Sequence, residues 1–277
     1  MTKKKSTGER LEFYQFSNVT VEHLHRYAIA EEFVTNKVVL DIASGEGYGS
    51  HILSKKALEV FGVDIDVESV NEASKKYRKN NLKFIVGSAD KIPIESNSID
   101  VVVSFETIEH HDKHHEMLQE IKRVLKKDGI LLMSSPDKKY YSDLTGQNNP
   151  FHVKELYFHE FKVLIDSYFN FTNYFFQNSF NLNSYIWKSD LFSSNKVYSG
   201  SELNIVSELN FPVYNIVIGS DIDYPEMQNS FFNGCEINGR IYDDFIKKVK
   251  SSNTFKVGKV IVYPLFVTKK IIKRLFL

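Results

Sequence analysis

The sequence predicts an α/β protein built on a doubly wound, mostly parallel β-sheet. Over the first half of the chain, short β-branched or aliphatic runs alternate with segments whose apolar residues have helical spacing. Such alternation indicates a parallel sheet that is covered by helices on both faces. A glycine-rich stretch at residues 45–49 directly follows the first run, where ligands of such sheets bind. The predicted strands are 37–43, 58–65, 82–89, 99–108 and 129–136.

Two segments between these strands carry helix signals. Residues 67–80 place Val67, Val70 and Ala73 near helical spacing, with Asp66 as the N-cap. Residues 117–129 repeat apolar side chains on one face and end in a lysine-rich turn before a glycine. Both segments therefore suit helices that cover the sheet.

Length and composition restrict the class of protein. The chain has 277 residues, 42% of them hydrophobic, which suffices for one large domain or for a catalytic domain with a tail. Its 35 basic and 35 acidic side chains balance, so no overall charge points to nucleic acid as the main partner. The single cysteine, Cys235, excludes an internal disulfide and a multi-cysteine zinc site. The N-terminal residues MTKKKSTGER have no apolar segment after their lysines, and no uncharged apolar run reaches about 18 residues. We therefore expect a cytoplasmic protein that does not cross a membrane.

The glycine-rich stretch indicates the kind of ligand. Gly45, Gly47 and Gly49 form GxGxG, whereas a dinucleotide fingerprint reads GxGxxG and a phosphate loop reads GxxxxGK followed by Ser or Thr. Asp41 precedes the glycines, and Asp64 ends the next predicted strand. A carboxylate at the end of the second strand, such as Asp64, can accept hydrogen bonds from both hydroxyls of a ribose. A carboxylate beside the glycines, such as Asp41, would repel a pyrophosphate but suits a ligand with an ammonium group. The pattern favours a nucleoside joined to an amino acid.

Five stretches resemble, in order, the motifs of class I S-adenosylmethionine-dependent methyltransferases: VLDIASGEGYGS, VFGVDID, GSADKIPI, IDVVVSFETIEH and LKKDGILLMSSP. The resemblance covers roughly residues 20–180. It implies a seven-stranded Rossmann-like sheet with S-adenosylmethionine as cofactor and glycines that let the backbone approach it. Asp64 would hold the ribose, Ala89 and Asp90 would meet the adenine, and the end of the fourth strand would line the methyl-transfer side. The cofactor-binding residues so assigned are Arg26, Asp41, Ala43, Gly45, Glu46, Gly47, Tyr48, Gly49, Asp64, Ile65, Ala89, Asp90, Phe105 and Glu106.

Residues 7–30 resemble the N-terminal segment of bacterial methyltransferases associated with cell-surface glycan synthesis. In that family the segment forms a helix that closes over the cofactor. Glu22 and Arg26 are spaced i,i+4, as are His23 and Tyr27, so one helix face can direct a cation towards the methionine carboxylate. Arg26 is our candidate for that contact. The alternative is that Glu22 and Arg26 form a solvated surface pair.

Histidines form a conspicuous cluster at residues 109–116. His110 with His114, and His111 with His115, have the i,i+4 spacing that can chelate zinc on a helix. The cluster spans the end of a strand and the start of a helix, however, so we expect solvated histidines and no metal ion.

Two histidines are candidates for the catalytic base. His110 follows the fourth predicted strand, where the family places residues next to the acceptor, and it could remove the proton of an attacking hydroxyl. His152, after the fifth predicted strand, is a second candidate base or acceptor-binding residue. The alternative for each is a helix-start histidine without a chemical role.

The second half predicts the end of the sheet and an insertion. Residues 155–180 suit the fifth helix and sixth strand, and residues 213–221 an antiparallel seventh strand at the sheet edge. The insertion, residues 181–212, is rich in asparagine, serine and aromatic residues, which suit sugar rings. Its aromatic residues either form an acceptor pocket or pack the insertion onto the sheet; they include Tyr185, Trp187 and Phe192.

The predicted organisation has three parts: an N-terminal cap segment (1–36), an S-adenosylmethionine-binding domain (37–221) and a C-terminal extension (222–277). In the extension, apolar pairs alternate with four cations over residues 265–277. This pattern suits peripheral contact with an anionic membrane surface. The alternative is that the segment packs on the domain or forms a subunit contact.

The expected function is O-methylation of a sugar hydroxyl on a nucleotide sugar or a bacterial surface polysaccharide. Methylation of another small molecule, such as a phenol, a quinone or an amino sugar, would use the same cofactor-binding residues. This alternative therefore stays open. A member that binds the cofactor but has lost catalysis also stays open. A nicotinamide-dependent oxidoreductase is disfavoured by the GxGxG spacing and by Asp41.

Overall fold

A computed structural model describes residues 17–146, 148–190, 196–201 and 204–259. The chain divides into two compact units, residues 1–232 and residues 233–277. The described part of the second unit contains the helix α6 (Cys235–Ser251) and a further helical stretch at residues 253–259. The predicted membrane-contact segment, 265–277, and Phe192 lie outside the described residues. Among the described helices, none is both long and apolar enough to cross a bilayer.

The first half of the first unit alternates helices and strands as predicted. Its elements are α1 (Asn18–Phe33), β1 (Val38–Ile42), α2 (Tyr48–Leu53), β2 (Glu59–Asp64), α3 (Val67–Lys76), β3 (Leu82–Val86), β4 (Ile99–Phe105), α4 (His114–Val124) and β5 (Leu125–Pro136). Asp66 caps α3 by accepting a hydrogen bond from the Ser69 amide, as its position predicts. α4 ends at Val124, earlier than predicted, because Leu125 already pairs with Ile99 of β4.

The second half continues the sheet with antiparallel strands. Its elements are α5 (Phe158–Asp166), β6 (Phe171–Phe180), β7 (Asn183–Lys188), β8 (Lys196–Ser201), β9 (Asn204–Leu209), β10 (Tyr214–Ser220) and β11 (Ser230–Phe232). β8 and β9 form a separate two-stranded hairpin within the insertion. β7, although it also lies in the insertion, pairs with β6 in the main sheet.

The main sheet has the order β11-β7-β6-β10-β5-β4-β1-β2-β3. The five strands β5, β4, β1, β2 and β3 are parallel to one another, which confirms the predicted fold class. Two details of the prediction are wrong for the described chain. The sheet has nine strands rather than seven, because β7 and β11 extend it. In addition, β10 is not an edge strand: it pairs with β5 on one side and β6 on the other, and all seven of its residues are buried.

Helices cover both faces of the sheet. Val39 and Leu40 are neighbours in β1 and point to opposite faces. Val39 packs in one cluster with Ala30 of α1, and Leu40 packs in the other with Leu118 of α4. α1 is therefore part of the hydrophobic core as well as the N-terminal cap.

Trp187 also belongs to the core. It is fully buried in β7, with its ring next to those of Phe176 and Tyr185. Of the two alternatives for Trp187, packing of the insertion onto the sheet is the one that its burial supports.

Candidate active site

A cavity of about 460 Å³ lies where β1, β2, β3 and β4 end, with α1 forming part of its wall. Its volume is typical of sites for small molecules and cofactors. The predicted residues that line it are Ala43, Gly45, Glu46, Tyr48, Asp64, Ile65, Ala89, Asp90, Phe105, Glu106 and His110. The predicted residues that do not line it are Arg26, Asp41, Gly47, Gly49 and His152. The carboxyl ends of the parallel strands thus bring most of the predicted site together.

The three glycines have different roles. Gly45 lies on the cavity wall with a positive φ of 53°, and a Cβ there would meet no atom within 4 Å. Gly47 begins α2 with a φ of 77°, and its Cβ would lie 2.6 Å from the ring of Phe84. A Cβ on Gly49 would lie 2.0 Å from the ring of Tyr27. Gly45 therefore exposes backbone to the cavity, whereas Gly47 and Gly49 make room for aromatic rings behind it.

Asp64 fixes the shape of the glycine loop. Its Oδ2 accepts a hydrogen bond from the Gly45 amide at 2.8 Å, and its Oδ1 accepts one from the Asp66 amide at 2.9 Å. Each carboxylate oxygen has a second lone pair. The carboxylate can therefore organise the loop and also accept hydrogen bonds from a diol in the cavity.

Asp41 is part of the support behind the loop and does not contact the cavity. It is fully buried, and it accepts hydrogen bonds from Ser50 Oγ at 2.6 Å and from the Tyr27 hydroxyl at 3.1 Å. Its predicted role as a partner for a ligand ammonium group is therefore wrong for direct contact. Burial raises the pKa of Asp41 to about 7.

This pKa predicts how stability depends on pH. Between about pH 4 and pH 7 the native chain retains a proton at Asp41 that the unfolded chain has released, so stability falls as the pH rises through this window. This loss of stability is complete above the pKa of the folded state. It amounts to about 4 kcal/mol, because the folded and unfolded pKa values differ by about three units and each unit corresponds to about 1.4 kcal/mol. Asp41→Asn removes the titration. Denaturant unfolding of both proteins across this range should show the variant gaining relative stability as the pH rises. A difference independent of pH would contradict the assignment.

Arg26 is buried rather than solvated, so the surface-pair alternative is wrong. Its guanidinium contacts the Glu106 carboxylate, donates to Ser134 Oγ at 2.7 Å and lies 4.7 Å from the centre of the Tyr214 ring. Arg26 reaches the cavity only through Glu106, which lines it. Arg26 does not line the cavity, and its Nη2 has no hydrogen-bond partner among the described residues, so the direct contact with a ligand carboxylate stays a prediction.

The strand ends at the cavity hold two strained residues. Ala43, after β1, and Glu106, after β4, have positive φ angles of 56° and 54°. Non-glycine residues adopt this conformation at a cost, and such residues cluster at functional sites. At Glu106 the Arg26 and Ser134 contacts hold the conformation in place.

His110 and His152 are adjacent, although only His110 lines the cavity. Their ring centres are 5.2 Å apart. His110 Nδ1 lies 3.1 Å from the Phe151 carbonyl oxygen, and His152 Nδ1 lies 2.5 Å from Glu155 Oε1. Glu109, beside them, is 1% exposed, and burial raises its pKa well above the usual range.

The histidine pairs with i,i+4 spacing do not lie on one helix, and the expectation of solvated histidines is wrong for His114, which is buried. α4 begins only at His114, so a loop interrupts both i,i+4 pairs. His114 instead contacts the His111 carbonyl oxygen, and His115 contacts the Tyr168 hydroxyl.

The adenine end of the predicted site carries an ion pair. Lys113 Nζ lies 2.6 Å from Asp90 Oδ2, and its hydrogen bond lowers the pKa of Asp90 to about 2. Both residues line the cavity. The Asp90 carboxylate is therefore ionised near neutral pH.

Sequence reasoning missed several cavity residues. His23 and Tyr27 line the wall from α1, and the His23 ring hydrogen-bonds the Tyr48 hydroxyl at 2.8 Å. Their i,i+4 spacing placed them on one helix face but did not show that this face borders the cavity. Glu109, which does not line the cavity, begins the histidine cluster, but its burial could not be predicted because it depends on the packing of segments distant in the chain.

The class I methyltransferase fold has a parallel core with an antiparallel strand inserted beside it, as β10 is between β5 and β6. It also has a glycine loop at the end of the first strand and a carboxylate at the end of the second, as here. An S-adenosylmethionine-dependent methyltransferase from Archaeoglobus fulgidus has this fold: the TM-score is 0.54 at 18% identity, over 73% of this chain and 94% of that structure. At this identity the likeness shows the fold alone.

Residues 40–133 match the family model described as a methyltransferase domain. A probable S-adenosylmethionine-dependent methyltransferase of Mycolicibacterium smegmatis is 33% identical over 132 residues, 47% of this chain and 50% of the relative. A demethylmenaquinone methyltransferase of Thermotoga maritima is 29% identical over 153 residues, 50% of this chain and 65% of the relative. The chain thus spans half to two thirds of the length of these relatives. Residues 40–133 are thus similar to a methyltransferase domain, and the name of neither relative mentions a surface glycan.

Proposed function

We propose that the protein transfers a methyl group from S-adenosylmethionine to a hydroxyl of a sugar, on a nucleotide sugar or a surface polysaccharide. The observation that carries this proposal is the single cavity that brings Gly45, Asp64 and His110 together. It offers exposed backbone and a carboxylate at one part of its wall, and a histidine at another. The sugar acceptor itself rests on the resemblance of residues 7–30 to glycan methyltransferases.

The residues present fit the cofactor. Gly45 leaves its side of the cavity open, and Asp64 has acceptor capacity for the ribose diol. Ala89 and Asp90 line the part of the wall that we assign to the adenine. When bound, S-adenosylmethionine supplies a methyl group activated by a positively charged sulfur. The residues of the chain therefore have to hold the acceptor oxygen in line with that methyl group and to assist removal of the proton of the acceptor hydroxyl.

The acceptor end of the site is built by the end of β4 and the turn after it. Phe105, Glu106, Thr107 and His110 line this part of the wall. Because the Phe151 carbonyl can only accept, Nδ1 of a neutral His110 carries the hydrogen and Nε2 the lone pair. His110, supported by His152, is our candidate for the group that acts on the hydroxyl proton.

Replacing His110 with alanine should lower kcat by about 10²- to 10⁴-fold, because the hydroxyl would lose the group that assists its deprotonation. Binding of S-adenosylmethionine, measured by calorimetry, should remain nearly unchanged. His115→Ala is the matched control: this exposed histidine contacts Tyr168 and does not line the cavity. Full activity of His110→Ala together with loss of activity in His152→Ala would exchange the two roles.

A quinone or phenol acceptor is the second candidate, favoured by the likeness to the demethylmenaquinone methyltransferase. Labelled S-adenosylmethionine should be tested with nucleotide sugars, surface-glycan fragments and reduced quinones. Transfer to a sugar supports the proposal, whereas transfer only to quinols replaces it with the second candidate. Cofactor binding without transfer to any of them would indicate a binding-only protein.

We also propose a cytoplasmic location with peripheral membrane contact through residues 265–277, on the basis of their alternating apolar and cationic sequence. In flotation with anionic vesicles, the full chain should bind and a chain ending at Pro264 should not, since each lost cation removes about 1 kcal/mol of attraction. Neutral vesicles serve as the control. Equal binding of both chains, or of neither, would reject the contact.

A further inference from the structure

The carboxylate of Glu109 lies in an unusual position beside the two catalytic candidates. It is 1% exposed, and neither of its oxygens has a hydrogen-bond partner among the described residues. Leaving a buried carboxylate without hydrogen bonds is costly, and buried charges in folded proteins are paired or coordinate metals. Within the described chain, ligand atoms of Glu109, His110 and His152 all lie within 4.8 Å of one another.

Hydrogen bonds around the cluster orient both histidines in the same way. His110 Nδ1 donates to the Phe151 carbonyl oxygen, and His152 Nδ1 donates to Glu155 Oε1. In each neutral ring the lone pair is therefore on Nε2. Glu155 Oε1 also accepts a hydrogen bond from Ser142 Oγ at 2.8 Å, which fixes its own position. Metal-binding histidines characteristically donate their second nitrogen to a carbonyl or carboxylate in this manner.

We infer that Glu109, His110 and His152 form a binding site for one divalent transition-metal cation at the acceptor end of the cavity. The inference rests on the proposed methyltransferase function and gives the two histidines a second way to act in it, as ligands of a cation that activates the hydroxyl. Two imidazoles with one carboxylate suit Zn²⁺ better than Mg²⁺ or Ca²⁺, which prefer oxygen ligands, and Mn²⁺ serves as a spectroscopic probe of the same site. Our expectation of no metal considered only histidine pairs on a helix, and this set joins residues from two separate turns.

The distances allow such a site. His110 Nε2 is 3.9 Å from Glu109 Oε1. Two ligands that each lie about 2.1 Å from a cation can be up to about 4.2 Å apart, so this pair already has a compatible separation. Three protein ligands leave at least one coordination position open, as catalytic metal sites do. Because His110 lines the cavity, an acceptor can reach that position.

The cation would give the site a way to activate a hydroxyl. An acceptor oxygen at the open position becomes more acidic and releases its proton to solvent water. The oxygen electron pair then forms the new C–O bond as the S–CH₃ bond breaks, with that electron pair remaining on sulfur. The cation is unchanged, and Glu109 balances part of its charge.

Cation binding by the full-length protein tests the site directly. After treatment with EDTA and gel filtration, Mn²⁺ is titrated and the free ion is followed by electron paramagnetic resonance, with Zn²⁺ as competitor. We expect one ion per chain. His110→Ala, His152→Ala and Glu109→Gln should each weaken Mn²⁺ binding more than about 100-fold, because even outer partners of metal ligands contribute about 10- to 100-fold. Glu155→Gln should weaken Mn²⁺ binding by this smaller factor of about 10 to 100. His115→Ala should leave Mn²⁺ binding unchanged.

Thermal unfolding distinguishes a variant that has lost a metal ligand from one that does not fold. Metal-free Glu109→Gln should be about as stable as the metal-free wild type, because the two side chains have nearly the same size and shape and the Glu109 oxygens have no hydrogen-bond partner among the described residues. Added Zn²⁺ should raise the Tm of the wild type and leave that of Glu109→Gln unchanged. A folded Glu109→Gln that still binds Mn²⁺ like the wild type would overturn the inference.

The remaining outcomes separate this inference from the proposed function. Absence of Mn²⁺ and Zn²⁺ binding overturns the cation site, and methyl transfer by that metal-free protein would leave His110 as the base. Binding at these three residues without transfer to any hydroxyl acceptor supports the cation site and rejects the proposed function. Activity that EDTA removes and Mn²⁺ restores supports both.

Discussion

Arg26→Ala should lower the free energy of unfolding by about 3–5 kcal/mol, the loss expected when one partner of a buried ion pair is removed. The Glu106 carboxylate would lose its cation, and the Tyr214 ring would lose the guanidinium packed against it. Space around a fully buried, large side chain would also be left unfilled. Urea unfolding at neutral pH measures the effect.

Arg78→Ala is the control, because Arg78 is exposed and such changes stay within about 0.5 kcal/mol. Combining Arg26→Met with Glu106→Gln should recover much of the lost stability, since both buried charges are then removed. A double variant no more stable than Arg26→Ala would show that packing, rather than the unpaired carboxylate, causes the loss.

Asp64→Ala should weaken binding of S-adenosylmethionine by about 2–3 kcal/mol. Two charge-assisted hydrogen bonds to the ribose diol would be lost, and the Gly45 amide would lose its acceptor at 2.8 Å. Isothermal titration calorimetry gives the change as a dissociation constant.

Asp66→Asn is the matched control, because Asp66 caps α3 and asparagine can do the same. Its cofactor affinity should equal that of the wild type. Unchanged affinity of Asp64→Ala for S-adenosylmethionine, combined with strong binding of NAD, would reject the proposed cofactor.

The sequence was sufficient for the parallel half of the fold. Each of its strands is a short apolar run bounded by small or polar residues. Consecutive strands are neighbours in the sheet except for β3 and β4, between which β1 and β2 lie. It was not sufficient for the position of β10 in the sheet. An antiparallel strand that pairs on both sides has the same apolar sequence pattern as other buried strands. Which gap in the sheet such a strand fills depends on pairing partners distant in the chain.

The same limit applies to the candidate site. Gly45 and Asp64 lie at strand ends, so the topology alone directs them to the cavity. Arg26 and Asp41 look equally suitable by residue type, but each is buried against partners from other elements, Glu106 and Ser134 for one, Tyr27 and Ser50 for the other. Spacing along the chain does not reveal whether a charged group faces a ligand or another side chain.

The position of β10 also has a consequence for how the chain folds. In the finished sheet Ser220 lies opposite Ile130, and Tyr214 lies opposite Pro136. During synthesis on a ribosome, the outer side of β5 therefore stays without its partner until the whole segment from α5 to β10 has emerged. Contacts between residues so distant in sequence slow folding, and an unpaired strand edge promotes association between nascent chains. Completion of the sheet therefore has to wait for a strand made late in translation.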